Sequence, residues 1–100
     1  MNPEVLQLVI RAAEETNPSR RVPIDVQRGA EAPLFGSQGV LDSMALVQFI
    51  VEVETALEDH TGTSIVLASE RAMSRRRSPF ASIGSLVEYI EELFTEAPTA

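Results

Sequence analysis

Apolar side chains recur at three- and four-residue steps in three stretches of this chain, and the segments between those stretches break the pattern. The first stretch carries Val5, Leu8, Val9 and Ala12. That spacing places all four on one face of an α-helix, where 3.6 residues complete a turn. Asn2, Pro3 and Glu4 precede it as a capping amide, a ring whose fixed φ suits the first helical position, and an acid at the positive end. Asn17-Pro18 closes it, because a proline disfavours helical backbone in the residue before it. A first helix is therefore predicted over residues 3–16.

The second stretch, Asp42 to Asp59, contains neither glycine nor proline and is the longest. Val47, Ile50, Val53 and Leu57 make its predicted apolar stripe, with Leu46 beside it. At about 100° per residue the opposite side carries Met44, Gln48, Glu52, Thr55 and Asp59, with Val51 at its margin. The third stretch starts near Ser82 and ends around Thr95, with Ile83, Leu86, Val87, Ile90, Leu93 and Phe94 as its apolar face.

Between the first two helices, residues 18–41 hold three prolines, three glycines and scattered apolar residues, which predicts a long loop pinned to the core by Leu34 and Phe35. After Thr61-Gly62-Thr63, the run Ile65 to Leu67 suits a few extended residues, but a lone strand makes no sheet. Ser69 to Met73 is long enough for one or two helical turns before Arg75 to Pro79 breaks the pattern. The expected fold is all-α: a small bundle of three main helices and one short helix, with a long loop between the first two. One domain is expected over residues 1–100, its core at about 3–95 and residues 96–100 a disordered tail.

Composition narrows the chemistry. The 100 residues include no cysteine and one histidine, which excludes disulfides, a thiolate zinc site, a cysteine nucleophile and a histidine-rich metal centre. Fifteen acids face eight bases, all arginine, for a net charge of -7. No arginine or lysine lies between Gly29 and Glu70, whereas Glu31, Asp42, Glu52, Glu54, Glu58, Asp59 and Glu70 are acidic. An anionic block repels nucleic acid and anionic lipid and suits partners with basic surfaces. The apolar runs are too short to span a membrane, and Met1 to Glu15 lacks the features of a signal peptide. The expectation is a cytoplasmic monomer that neither binds nucleic acid nor inserts into a membrane.

One segment remains, Leu34-Phe35-Gly36-Ser37-Gln38-Gly39-Val40-Leu41-Asp42-Ser43-Met44, which places a serine after an acid at the head of the main helix. His60 is the sole candidate base for a serine nucleophile, and it lies at the far end of the same helix, about 25 Å away by helix rise. Ser43 cannot activate itself. It can be a substrate, because the free amides of a helix N-terminus tolerate a phosphodiester.

Gly39-Val40-Leu41-Asp42-Ser43-Met44, followed by Ala45 to Glu54, resembles the prosthetic-group attachment region of acyl carrier proteins. The likeness extends from about Leu34 to Phe94, and Ile83 to Ile90 is similar to the family's last helix. The resemblance implies that Ser43 carries 4'-phosphopantetheine, transferred from coenzyme A by a magnesium-dependent phosphopantetheinyl transferase, with Asp42 as the flanking motif residue. It also implies a partner face of Met44, Gln48, Val51 and Glu52, a carrier and not an enzyme, and acyl- or aminoacyl-activating ligases, acyltransferases or ketosynthases as further partners.

Two departures refine the resemblance. Gly39 is separated from Asp42 by two residues, where fatty-acid carriers have one; the Gly-x-Leu-Asp-Ser-Met form is similar to carriers of D-alanine and to free-standing carriers of specialised pathways. Ala68 to Pro79 is longer and more basic than in minimal carriers. Three readings stay open: an acyl carrier of a lipid or specialised pathway, an aminoacyl carrier, and an unmodified helical adaptor. His60 receives no role, and Arg75, Arg76 and Arg77 read as a solvated loop.

Overall fold

The computed structural model describes residues 2–19, 22–36, 39–67 and 79–96. Helix α1 (Pro3–Thr16) starts as predicted: the Asn2 side chain accepts hydrogen bonds from the amides of Glu4 and Val5, and proline occupies the first turn. Helix α2 (Ser43–Thr61) is capped by Asp42, outlasts the predicted end by two residues, and stops where Gly62 turns left-handed at φ 75°. Helix α3 (Ile83–Glu96) begins after Ser82, whose hydroxyl accepts from the Ser85 amide at 3.1 Å. The described residues form an all-α fold with α1 in the middle, packed against both α2 and α3.

The buried face of α2 differs from the predicted stripe. Leu46, Phe49, Ile50, Val53 and Leu57 are buried, whereas Val47 is 59% exposed. The stripe is rotated by about one position because Leu46, Val47, Phe49, Ile50, Val51 and Val53 leave few polar markers on this helix, and the large Phe49 gains most from the interior. In α3, Ile83, Leu86, Val87 and Ile90 are buried as expected, and so is Tyr89, which the apolar pattern omitted. Val5, Val9, Ala12 and Ala13 complete the core from α1, with Leu8 only partly buried.

The described residues between 18 and 41 are more ordered than a long loop. Short 3-10 helices occupy Asn17–Ser19 and Val26–Glu31, and Ile24, Ala32, Leu34 and Leu41 are buried. Asn17 clips the segment to the end of α1: its side-chain amide donates to the Ile24 carbonyl, and its side-chain oxygen accepts from the Ile24 amide, both at 2.9 Å. Further along, the amides of Leu34 and Phe35 donate to the carbonyls of Ala81 and Phe80, and that of Ile83 donates to Ala32. The connection is thereby stitched to the start of α3. Gly84 permits this approach, since a Cβ there would stand 2.8 Å from the Ala30 carbonyl oxygen.

After α2 the chain continues, without forming a strand, to the buried Leu67. The Leu67 amide donates to the Glu54 carboxylate at 2.8 Å. Glu54, one of the acids of the anionic block, is thus a structural acceptor. The predicted short helix at 69–73, the Arg75 to Arg77 cluster and the last residues of the tail lie outside the described residues.

Candidate functional site

The site is built by a short excursion of the chain before α2. The Leu41 amide donates to the Leu34 carbonyl at 2.9 Å and the Gly39 amide to the Gly36 carbonyl at 3.0 Å, so residues 39–41 return to residues 34–36. Gly36, at φ 115°, takes a backbone conformation that side chains disfavour. Gly39 sits against the chain it returns to: a Cβ there would lie 2.5 Å from the Phe35 Cα and 2.6 Å from the Leu34 carbonyl oxygen. Glycine at this motif position is therefore required by close backbone packing. Leu41 anchors the end of the excursion in the core, and the next two residues emerge into solvent.

There Asp42 acts as the helix cap, its carboxylate accepting from the Ala45 amide at 2.8 Å while its carbonyl accepts from Leu46 at 2.9 Å. Ser43 is the first helical residue and is exposed. A helix leaves its first amides outside the intrahelical ladder; Asp42 takes that of Ala45, and those of Ser43 and Met44 remain at the end where the hydroxyl stands. The partial positive charge of that terminus favours an anionic substituent on Ser43.

Compared against family models, curated proteins and solved structures, the chain matches none.

The structure brings together the residues that the sequence singled out. Met44, Gln48, Val51 and Glu52 are all exposed along one side of α2, beginning beside Ser43. Gln48, Val51 and Glu52 also line an open groove of about 790 Å³ between α2 and the end of α1, whose walls include Val22, Val40, Leu41 and Val47. Val22 and Val47 were missed as surface residues of the site. Val47 carried a misleading signal, its helical spacing from Ile50, and Val22 carried none. A second groove of about 760 Å³ continues along α1 and α2, sharing Glu15 and Glu52 with the first and ending at His60. There His60 Nε2 lies 3.6 Å from the Glu4 carboxylate, an exposed pair joining the two helices. His60 stands at the opposite end of α2 from Ser43, as the sequence required.

Among the described residues no group of three or more His, Asp or Glu side chains converges as a metal site, and no helix is long and apolar enough to cross a membrane.

Proposed function

We propose that this chain is a carrier protein that holds an acyl intermediate on a 4'-phosphopantetheine arm attached to Ser43 and presents it to successive enzymes of a lipid or specialised biosynthetic pathway. The observation that carries the reading is the placement of the Asp42-Ser43-Met44 motif: an exposed serine at the first position of an acid-rich helix, its neighbour Asp42 committed to capping.

The residues fit that group. Ser43 offers an accessible hydroxyl, the helix terminus favours the phosphodiester, and the chain has no thiol of its own. When attached, the arm supplies the thiol that takes an acyl group as a thioester. Attachment requires a bond from Ser43 Oγ to phosphorus as the bond to the departing nucleotide breaks. Because His60 lies too far away and Asp42 is engaged by Ala45, the base that accepts the hydroxyl proton belongs to the transferase. Met44, Gln48, Val51 and Glu52 then form the contact face, with the Glu52 carboxylate complementary to a basic partner surface. Contacts of that kind favour fast encounter and ready release, as a carrier visiting several enzymes needs.

Incubation with coenzyme A, magnesium and a broad-specificity phosphopantetheinyl transferase is expected to add one phosphopantetheine to the wild type and none to Ser43→Ala, measured by intact mass. A wild type that stays unmodified across several transferases contradicts the reading and favours an unmodified adaptor.

A further inference from the structure

The chain has no cysteine, so its own sulfur is confined to the thioethers of three methionines. Met44 is the methionine that lies among the described residues, and it is 74% exposed, more than Val22, Val47, Val51 or Val66. Two features of α2 account for this. Its core stripe is Leu46, Phe49, Ile50, Val53 and Leu57, which leaves Met44 outside the interior. Helical side chains also lean toward the N-terminus and rest on the preceding turn, and at the second position of α2 there is no preceding turn to cover a thioether. An accessible sulfur thus stands at the residue after Ser43, where it contributes nothing to the core.

We infer that Met44 is an oxidation site through which hydroperoxides weaken the encounter of this chain with its partner enzymes. The inference rests on the carrier reading, which puts Met44 on the contact face beside Ser43, and adds to that face a modification and a means of regulation. The Met44 sulfur attacks one oxygen of hydrogen peroxide; an S–O bond forms as the O–O bond breaks. The departing hydroxide takes the proton of the transferred hydroxyl and leaves as water. Sulfur loses two electrons, which the peroxide gains. The product is a sulfoxide, polar and chiral where the thioether was apolar, and sulfoxide reductases reverse the change. Because Met44 lies outside the core, the fold survives and the effect falls on contact: a partner that covers this position must strip water from a strong hydrogen-bond acceptor. The thiol of a free arm would compete for the oxidant. The unloaded chain has no thiol, so Met44 responds most fully before the arm is attached.

The test treats the unloaded full chain with hydrogen peroxide, removes the excess with catalase and locates sulfoxide by peptide mass mapping. Phosphopantetheine attachment is then timed with a broad-specificity transferase, and the urea midpoint reports the fold. Met44 is expected to oxidise as fast as free methionine, and attachment to slow several-fold through a raised KM at unchanged kcat, with the urea midpoint unmoved. A methionine sulfoxide reductase should restore the rate. Met44→Leu should attach the arm at the same rate before and after peroxide, which separates Met44 from Met1 and Met73. A Met44 that stays reduced while free methionine is oxidised, or attachment unchanged with Met44 fully oxidised, overturns the inference and leaves the carrier reading intact. Slowing that persists in Met44→Leu assigns the effect to another methionine, and slowing matched by a fallen urea midpoint assigns it to the fold; both overturn the inference. Absence of any adduct on the untreated chain defeats the carrier reading, and this inference with it.

Discussion

Helices α2 and α3 are both rich in apolar residues and use them differently. In α3, Ile83, Leu86, Val87, Tyr89 and Ile90 are all fully buried, and Leu93 and Phe94 pack against the same core. In α2 five apolar residues enter the core while Met44, Val47 and Val51 remain in water, at 74%, 59% and 52% exposure. Propensity and packing account for α3 completely. They account for only one face of α2, and the surplus on the other face begins at the residue after Ser43. Under the proposed function, these exposed apolar residues belong to the face of α2 that meets partner enzymes.

The comparison breaks most visibly if the two faces of α2 prove equivalent. Phe49→Ala should cost about 3–5 kcal/mol, a large share of the stability of a domain this size, read as a drop in the urea midpoint. A loss under about 1 kcal/mol would mean that the core does not depend on the buried stripe. Gly39→Ala should cost about 1–3 kcal/mol, because a methyl group there must displace the Phe35 backbone and with it the approach to Ser43. Slower arm attachment beyond what the lost stability explains would sharpen the link between this close contact and the serine.

Asp42→Ala should cost about 1 kcal/mol through the lost bond to the Ala45 amide, and Asp42→Asn should recover most of it, since an amide oxygen also caps. Val47→Asp, on the exposed face, should change stability by no more than about 0.5 kcal/mol in thermal or urea unfolding. A loss comparable to that of Phe49→Ala would restore Val47 to the core and erase the distinction between the helices.

Much of this was legible in the sequence, for identifiable reasons. Caps are local, so Asn2-Pro3 announced the start of α1 and Asp42 announced the position of Ser43 at the head of α2, whereas α2 runs two residues past its expected end before Gly62 stops it. The rotation of α2 was not legible, because apolar residues occupy too much of its circumference for spacing alone to choose between Val47 and Phe49. The order of the described residues between 18 and 41 was hidden for a different reason. It depends on pairing with residues 80–83, far along the chain, and on the Asn17 to Ile24 clip, neither of which leaves a periodic signature. The site inherits that pattern: Ser43, Met44, Gln48, Val51 and Glu52 could be placed from the helix, whereas Val22, supplied by the connection, could not.

The central claim is that Ser43 bears a prosthetic arm in the cell. Intact mass measurement of the protein isolated from its native host tests this most directly, because it reports the arm and its cargo together. The account predicts a phosphopantetheine increment, with or without an attached acyl group, that fragmentation assigns to Ser43 and that Ser43→Ala abolishes. An unmodified mass, in cells whose other carriers are modified, would contradict it.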